Sequence, residues 1–235
     1  MSDKTVLREL ASRYAEFARS EGKREKIRLH RAVNDLEMIR PIVLIDEIPW
    51  EEMEIGDELA LRCEDEDYRG LEQDLRRSLY KLKHMPADLA LPDFIGVGKV
   101  IHSTGIGVEV EEEQIGKNNG GISSHKYHNV FLEKGLDMLH NPVITYDEEE
   151  TLKRFTKIGE AVGDILPVKI TGQPTGYELG CKTWDTIVTL MGADDLLMGL
   201  VEEPEFMHQL VQKLTDIFMN TVKQYEEQNL IEMEP

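Results

Sequence analysis

Short apolar runs separated by long amphipathic stretches most limit the folds open to this chain. Residues 41–45 (Pro-Ile-Val-Leu-Ile), 88–93 (Asp-Leu-Ala-Leu-Pro-Asp) and 165–170 (Ile-Leu-Pro-Val-Lys-Ile) are apolar, in part β-branched, and bounded by proline or acids. Runs of that length read as buried strands. Between the first two, residues 57–83 set Leu59, Leu61, Leu71, Leu75, Leu79 and Leu82 among paired opposite charges, the pattern of a crossover helix with a solvated outer face. Asp147 opens another amphipathic helix reaching about residue 162, and helices over 184–191 and 203–228 follow. Strand and helix in regular alternation call for a parallel sheet with right-handed crossovers.

Two helices precede the first run. Ser2 and Asp3 can cap one whose apolar positions Val6, Leu7, Leu10, Tyr14 and Phe17 recur at helical intervals up to Gly22, and a second spans 24–38. The glycines at 96, 98, 105 and 107 lead into a less regular stretch, 111–141, which reads as a long functional loop. The expected organisation is α/β, a partial TIM-type (β/α)8 barrel. Residues 1–38 form an N-terminal helical extension and 39–235 the first part of the barrel, the C-terminal half being absent. Three strands cannot close a barrel of eight, so exposed strand edges imply either a homodimer or pairing with the missing half.

The 235 residues, 40% hydrophobic and 31% charged, suffice for a good-sized globular domain. With 27 Lys+Arg against 46 Asp+Glu the formal charge is -19, which repels phosphate backbones and anionic lipid surfaces. Neither nucleic acid nor membrane is an expected partner. The first 20 residues mix charges at helical spacing without a signal-peptide pattern, and the only cysteines are Cys63 and Cys181, too few for a disulfide framework. A cytoplasmic location is expected.

Three segments in order resemble the uroporphyrinogen decarboxylase superfamily: 40–44 (Arg-Pro-Ile-Val-Leu), then 88–93 with 105–110 (Gly-Ile-Gly-Val-Glu-Val), then 167–174 (Pro-Val-Lys-Ile-Thr-Gly-Gln-Pro). Residues 203–216 are similar to the helix that follows the family's third strand, so the resemblance covers roughly 38–228. It implies the first three strands of that family's barrel. Asp93 matches the family aspartate that contacts pyrrole nitrogens in the decarboxylases. The decarboxylases carry Arg-Gln-Ala-Gly-Arg-Tyr after strand one, where this chain has Asp46, Glu47, Ile48, Pro49 and Trp50. A polyanionic porphyrinogen would there meet acids, and a like-charge pair about 4 Å apart costs about 1 kcal/mol even in water. The family tyrosine after the Gly-x-Pro of strand three is matched out of register, by Tyr177. The resemblance therefore implies the methyltransferase branch, acting with a corrinoid protein on a small methylated substrate, with zinc as a candidate cofactor. Alternatives are a tetrapyrrole decarboxylase and a non-catalytic half-barrel binding subunit.

His125 and His128 have the i, i+3 spacing that presents two imidazoles to one zinc on a helix, with His102 able to approach; each also suits proton transfer near neutrality. Asp93, His125 and His128 are the catalytic candidates. Asp46, Glu47, Trp50, His102, Gln173 and Tyr177 are the substrate-binding ones, since the carboxyl ends of barrel strands carry the chemistry of this fold. For metal the candidates are His125, His128 and Cys181. Bland readings stand beside these: a polar loop pair for the histidines, a turn cap for Asp46 and Glu47, packing for Trp50, a tight turn around Gln173, and a small apolar residue for Cys181.

Overall fold

A computed structural model of the chain describes residues 2–53, 56–85, 87–115, 124–174 and 182–232. Its elements run α1 (Asp3–Ala18), α2 (Glu21–Asn34), α3 (Glu66–His84), β1 (Ile95–Gly98), β2 (Val100–Ser103), β3 (Glu112–Ile115), β4 (Ser124–Tyr127), α4 (Phe131–Lys134), β5 (Ile144–Asp147), α5 (Glu148–Val162), β6 (Val168–Thr171), α6 (Thr183–Met191), α7 (Ala193–Glu202) and α8 (Pro204–Glu227). The fold is mixed α/β and mainly helical. Among the described residues the strands form two-stranded ladders, β1 with β6, β2 with β5 and β3 with β4, and no closed barrel. Two compact units each draw on two stretches of chain: residues 1–97 with 150–170, and residues 98–149 with 171–235.

The first unit is organised by α1 and α3. Ser2 caps α1 by accepting the Thr5 N–H, and the apolar stripe Leu7, Leu10, Ala11 and Tyr14 is buried against Leu75 and Leu79 of α3 and Ile158 and Val162 of α5. The extension expected over 1–38 does consist of helices, and its first helix belongs to this core. α3 begins at Glu66, later than the periodicity from 57 suggested. Asp65 caps it, accepting the N–H groups of Asp67 and Tyr68, while Asp3 accepts those of Glu64 and Asp65. Carboxylates receiving otherwise orphaned amides decide where a helix starts.

Inside this unit Glu72 is wholly buried. It accepts the Arg62 and Cys63 N–H groups and is bonded at 2.7 Å by Nε of Arg76, itself 8% exposed. Burial alone would raise the Glu72 carboxyl; the bonds from Cys63, Arg62 and Arg76 outweigh that and hold it below its ordinary value. Desolvation next to this carboxylate pushes the Cys63 thiol up to about 12.

Two expected strands do not form where the apolar runs lie. Residues 41–45 are extended but pair with no strand, and Val43 and Leu44 are more than half exposed. Val43 instead exchanges bonds with Asp88, donating its N–H to Oδ2 and accepting the Asp88 N–H, while Arg40 grips the same carboxylate with two 2.7 Å bonds. The run at 88–93 is likewise irregular, and the strand starts two residues later, at Ile95. β-branched composition favours extension, but a ladder needs a neighbour. The Ile95 N–H donates to Pro167 O and the Lys99 N–H to Thr171 O. These bonds advance in the same direction along both chains, so β1 and β6 are parallel.

The second unit overturns an all-parallel sheet. β2 and β5 pair antiparallel with Ile101 opposite Tyr146, and β3 and β4 pair antiparallel with Gln114 opposite His125. The loop expected over 111–141 therefore contains a hairpin and the short α4. A core of Leu139, Ile187, Leu190, Met207, Leu210 and Leu214 lies between α4, α6 and α8. Pro204 opens α8 at a position where no amide is needed. Among the described residues no helix is long and apolar enough to cross a membrane.

Candidate functional site

In the first unit the expected residues lie along the C-terminal half of α3. Asp46 is 76% exposed and reaches Lys81 at 3.7 Å. Glu47 holds a φ of 52°, a left-handed conformation costly for a residue with a β-carbon. Trp50, in a 3₁₀ turn, meets Tyr80 edge-on at 6.0 Å and carries the Arg77 guanidinium 5.0 Å above its ring. One face of the indole is thus already covered, the packing role expected of an aromatic after proline. Asp93 is exposed and precedes β1. The carboxyl-end placement read from the run 88–93 is thereby corrected to an amino-end placement, because the strand forms further along. The Tyr14 phenol is pushed up to about 12, by burial first and then by the charges of Asp74 and Asp93.

In the second unit His102 lies on a different ladder from His125, whereas His125 and His128 line one cavity. His102 faces Asp147 at 3.7 Å on the β2–β5 ladder. His125 lies on β4 and bonds Oε2 of Glu112 on β3 at 2.9 Å through Nδ1, while its ring stacks 6.1 Å from Tyr127. The His128 main-chain N–H donates to Glu111 O, beyond the end of β4. The segment is a strand up to Tyr127 and not a helix, so the helical presentation expected of His125 and His128 does not form. Among the described residues no three His, Cys, Asp or Glu side chains converge as a metal site. Tyr177 and Cys181 lie outside the described residues.

The turn after β6 also differs from expectation. The Gln173 N–H donates to Leu230 O, the Glu232 N–H to Gln173 O, and the Gly172 N–H to the Glu232 carboxylate. These amides are occupied by the chain's own residues 230–232, so they do not present themselves to a carboxylate or phosphate. Gly172 is required here: a β-carbon would stand 2.6 Å from Leu230 O and Ile231 C.

What the second unit does assemble is a cavity of about 530 Å³ where β4 meets the start of α7. His125, Lys126, Tyr127, His128, Asn129, Asp194 and Asp195 line it, together with Gly192. Its shape is set by three local devices. The Val130 N–H bonds Leu190 O; the Asn129 amide donates to Asp195 at 2.9 Å and its oxygen accepts the Phe131 N–H; and Gly192, at φ 78°, lets the Tyr127 carbonyl approach so closely that a β-carbon would lie 2.8 Å from it. Carboxylates, two imidazoles and a phenol, with Lys126 beside them, make the cavity polar and rich in acceptors and π surface, suited to a small polar or cationic group. Of these residues the sequence singled out His125 and His128. The run 117–121 (Lys-Asn-Asn-Gly-Gly) reads as a turn, and its Asn-Gly dipeptide between 112–115 and 124–127 is the signal that could have paired those segments and so brought Glu112 to His125 and aligned Tyr127 with it.

Comparison with protein-family models, curated proteins and solved structures finds no match.

Proposed function

We propose that the chain is the first part of a uroporphyrinogen-decarboxylase-like (β/α) barrel of the methyltransferase branch, a component that presents a small methylated substrate to a corrinoid carried by a partner protein. The observation that supports the barrel is a pair of parallel pairings reached by crossovers that end in helices. Between β1 and its parallel partner β6 the chain runs through β2 to β5 and α4 before α5 leads into β6, and α6, α7 and α8 lie between β6 and Ile231, which makes a parallel bridge to Gln173. The acids at 46 and 47, where decarboxylases carry arginines, support the methyltransferase branch over the tetrapyrrole one.

Within this reading the 530 Å³ cavity holds the substrate. Tyr127 and His125 offer ring faces to a methylated onium centre, Asp194 and Asp195 balance its charge, and Glu112 fixes the imidazole. The corrinoid, when its carrier is bound, supplies the nucleophile that accepts the methyl group. Among the described residues no three His, Cys, Asp or Glu side chains gather to hold zinc.

The test is anaerobic mixing of the chain with a reduced corrinoid protein and tetramethylammonium, trimethylamine, methanol or dimethyl sulfide, following cobalt methylation by its visible spectrum. Methylation by an onium donor that depends on the chain and falls at least about tenfold in Tyr127→Ala, the size of a lost cation–π contact, is expected. No methylation above the protein-free rate, or carboxyl loss from uroporphyrinogen under the same conditions, refutes the proposal.

A further inference from the structure

A second concavity, of about 370 Å³, runs beside the first in the same unit. The two share Asn129, Leu132, Met191 and Asp195, so together they form one elongated groove along α7. Its floor is apolar, with Phe131, Met191, Gly199 and Phe206. Its rims carry side chains that folding leaves uncovered: Leu132 is 78% exposed and Met198 53%. Contiguous exposed apolar side chains of this kind mark interaction surfaces. Leu197 and Val201, also exposed, stand one turn apart elsewhere on α7 and line neither concavity.

The charge lining the second concavity has one sign, while Lys126 stands at the first. Asp195, Glu202 and Glu203 line the second concavity, and none of its ten lining residues is Lys or Arg. An apolar stripe flanked by carboxylates complements a helix with an apolar stripe flanked by lysines or arginines. The same charges, in a chain of formal charge -19, oppose a second copy or an anionic bilayer on this face. Methionine at the rim adapts to an imperfect ridge of side chains.

We infer that the groove between α4 and α7 docks a cationic amphipathic helix of a partner protein. The inference rests on the groove alone and stands whether or not the chain takes part in methyl transfer. The probe is a fluorescein-labelled model peptide of about 18 residues, five helical turns, with leucines at i, i+3, i+4 and i+7 and lysines beside them. Its controls are the same peptide with every lysine replaced by glutamate, and a scrambled peptide of equal composition without the stripe.

Anisotropy is expected to show saturable binding of the first peptide only. Leu132→Asp with Met198→Asp should weaken it at least about tenfold, and Glu202→Lys with Glu203→Lys should weaken it and flatten its salt dependence. Met219→Asp, exposed on α8, should leave it unchanged. All these positions are solvent-facing, so the variants retain the fold, which circular dichroism checks. Equal binding of the scrambled peptide, or full binding by the Leu132→Asp, Met198→Asp variant, overturns the inference. A wild-type dimer in sedimentation that this variant dissociates also overturns it, by making the occupant a second copy.

Discussion

Replacing Glu72 with Gln tests the core of the first unit at its most sensitive point. The wild-type carboxylate is fully buried and answers three donors: the amides of Arg62 and Cys63 and the Arg76 guanidinium, whose side chain is 8% exposed. Glutamine keeps the shape but removes the charge and turns one acceptor into a donor, leaving Arg76 uncompensated in a buried site. Removing one partner of such a pair costs about 3–5 kcal/mol, and glutamine's remaining oxygen should keep the loss near the lower end. Folded domains are stable by only about 5–15 kcal/mol, so the loss is large.

The two tryptophans provide the assay, since Trp50 belongs to the first unit and Trp184 to the second. In a Trp184→Phe background, urea unfolding followed by Trp50 emission should show the transition of Glu72→Gln shifted by about 3 kcal/mol. Adding Arg76→Met, which removes the stranded charge, should recover about 1–2 kcal/mol. Because the Glu72 carboxyl lies below its ordinary value of 4.5 in the folded chain, its contribution is complete above pH 4.5 and fades as the pH falls through the folded value. The difference between wild type and Glu72→Gln should narrow accordingly. A difference below about 0.5 kcal/mol at pH 7, the scale of an ordinary surface change, would refute the account of this network.

Four further outcomes follow from the geometry. Gly192→Ala combines a φ of 78° with a β-carbon 2.8 Å from the Tyr127 carbonyl, and should destabilise the second unit by about 2 kcal/mol or more, read by Trp184 emission. Gly172→Ala should expel residues 230–232, seen as faster hydrogen exchange at the Gln173 and Glu232 amides; unchanged protection there would refute the clash. Arg40→Ala should free the segment 41–45 and hasten its cleavage by a protease of broad specificity. Asp88, held far below its ordinary value by Arg40 and the Val43 N–H, should release the same segment in wild type only as the pH falls through that lowered value.

Parallel pairing of 95–98 with 168–171 keeps the third expected strand and shifts the second a few residues along the chain. Of the catalytic candidates, His125 and His128 both line the assembled cavity, together with Tyr127 and Asp195, which the sequence did not single out. Asp93, chosen for its place at a strand end, moved when the strand did. Gln173 was legible as a turn, but not as the partner of residue 231, because nothing local to 172–174 states which distant backbone will take its amides.

Local interactions made part of this protein legible from its sequence. The 3.6-residue recurrence of apolar side chains marks α1, α5 and α8 nearly to their ends, since helix bonds close within four residues and caps such as Ser2 lie beside the turns they satisfy. Strands differ in kind. Residues 41–45 have the stronger β composition, yet 95–98 made the ladder, and 112–115 found 124–127 within a stretch read as loop. A strand exists only when another backbone arrives to pair with it, and a buried carboxylate such as Glu72 is tolerable only where folding collects its donors. Those meetings join residues far apart in the chain, so tertiary structure decided them.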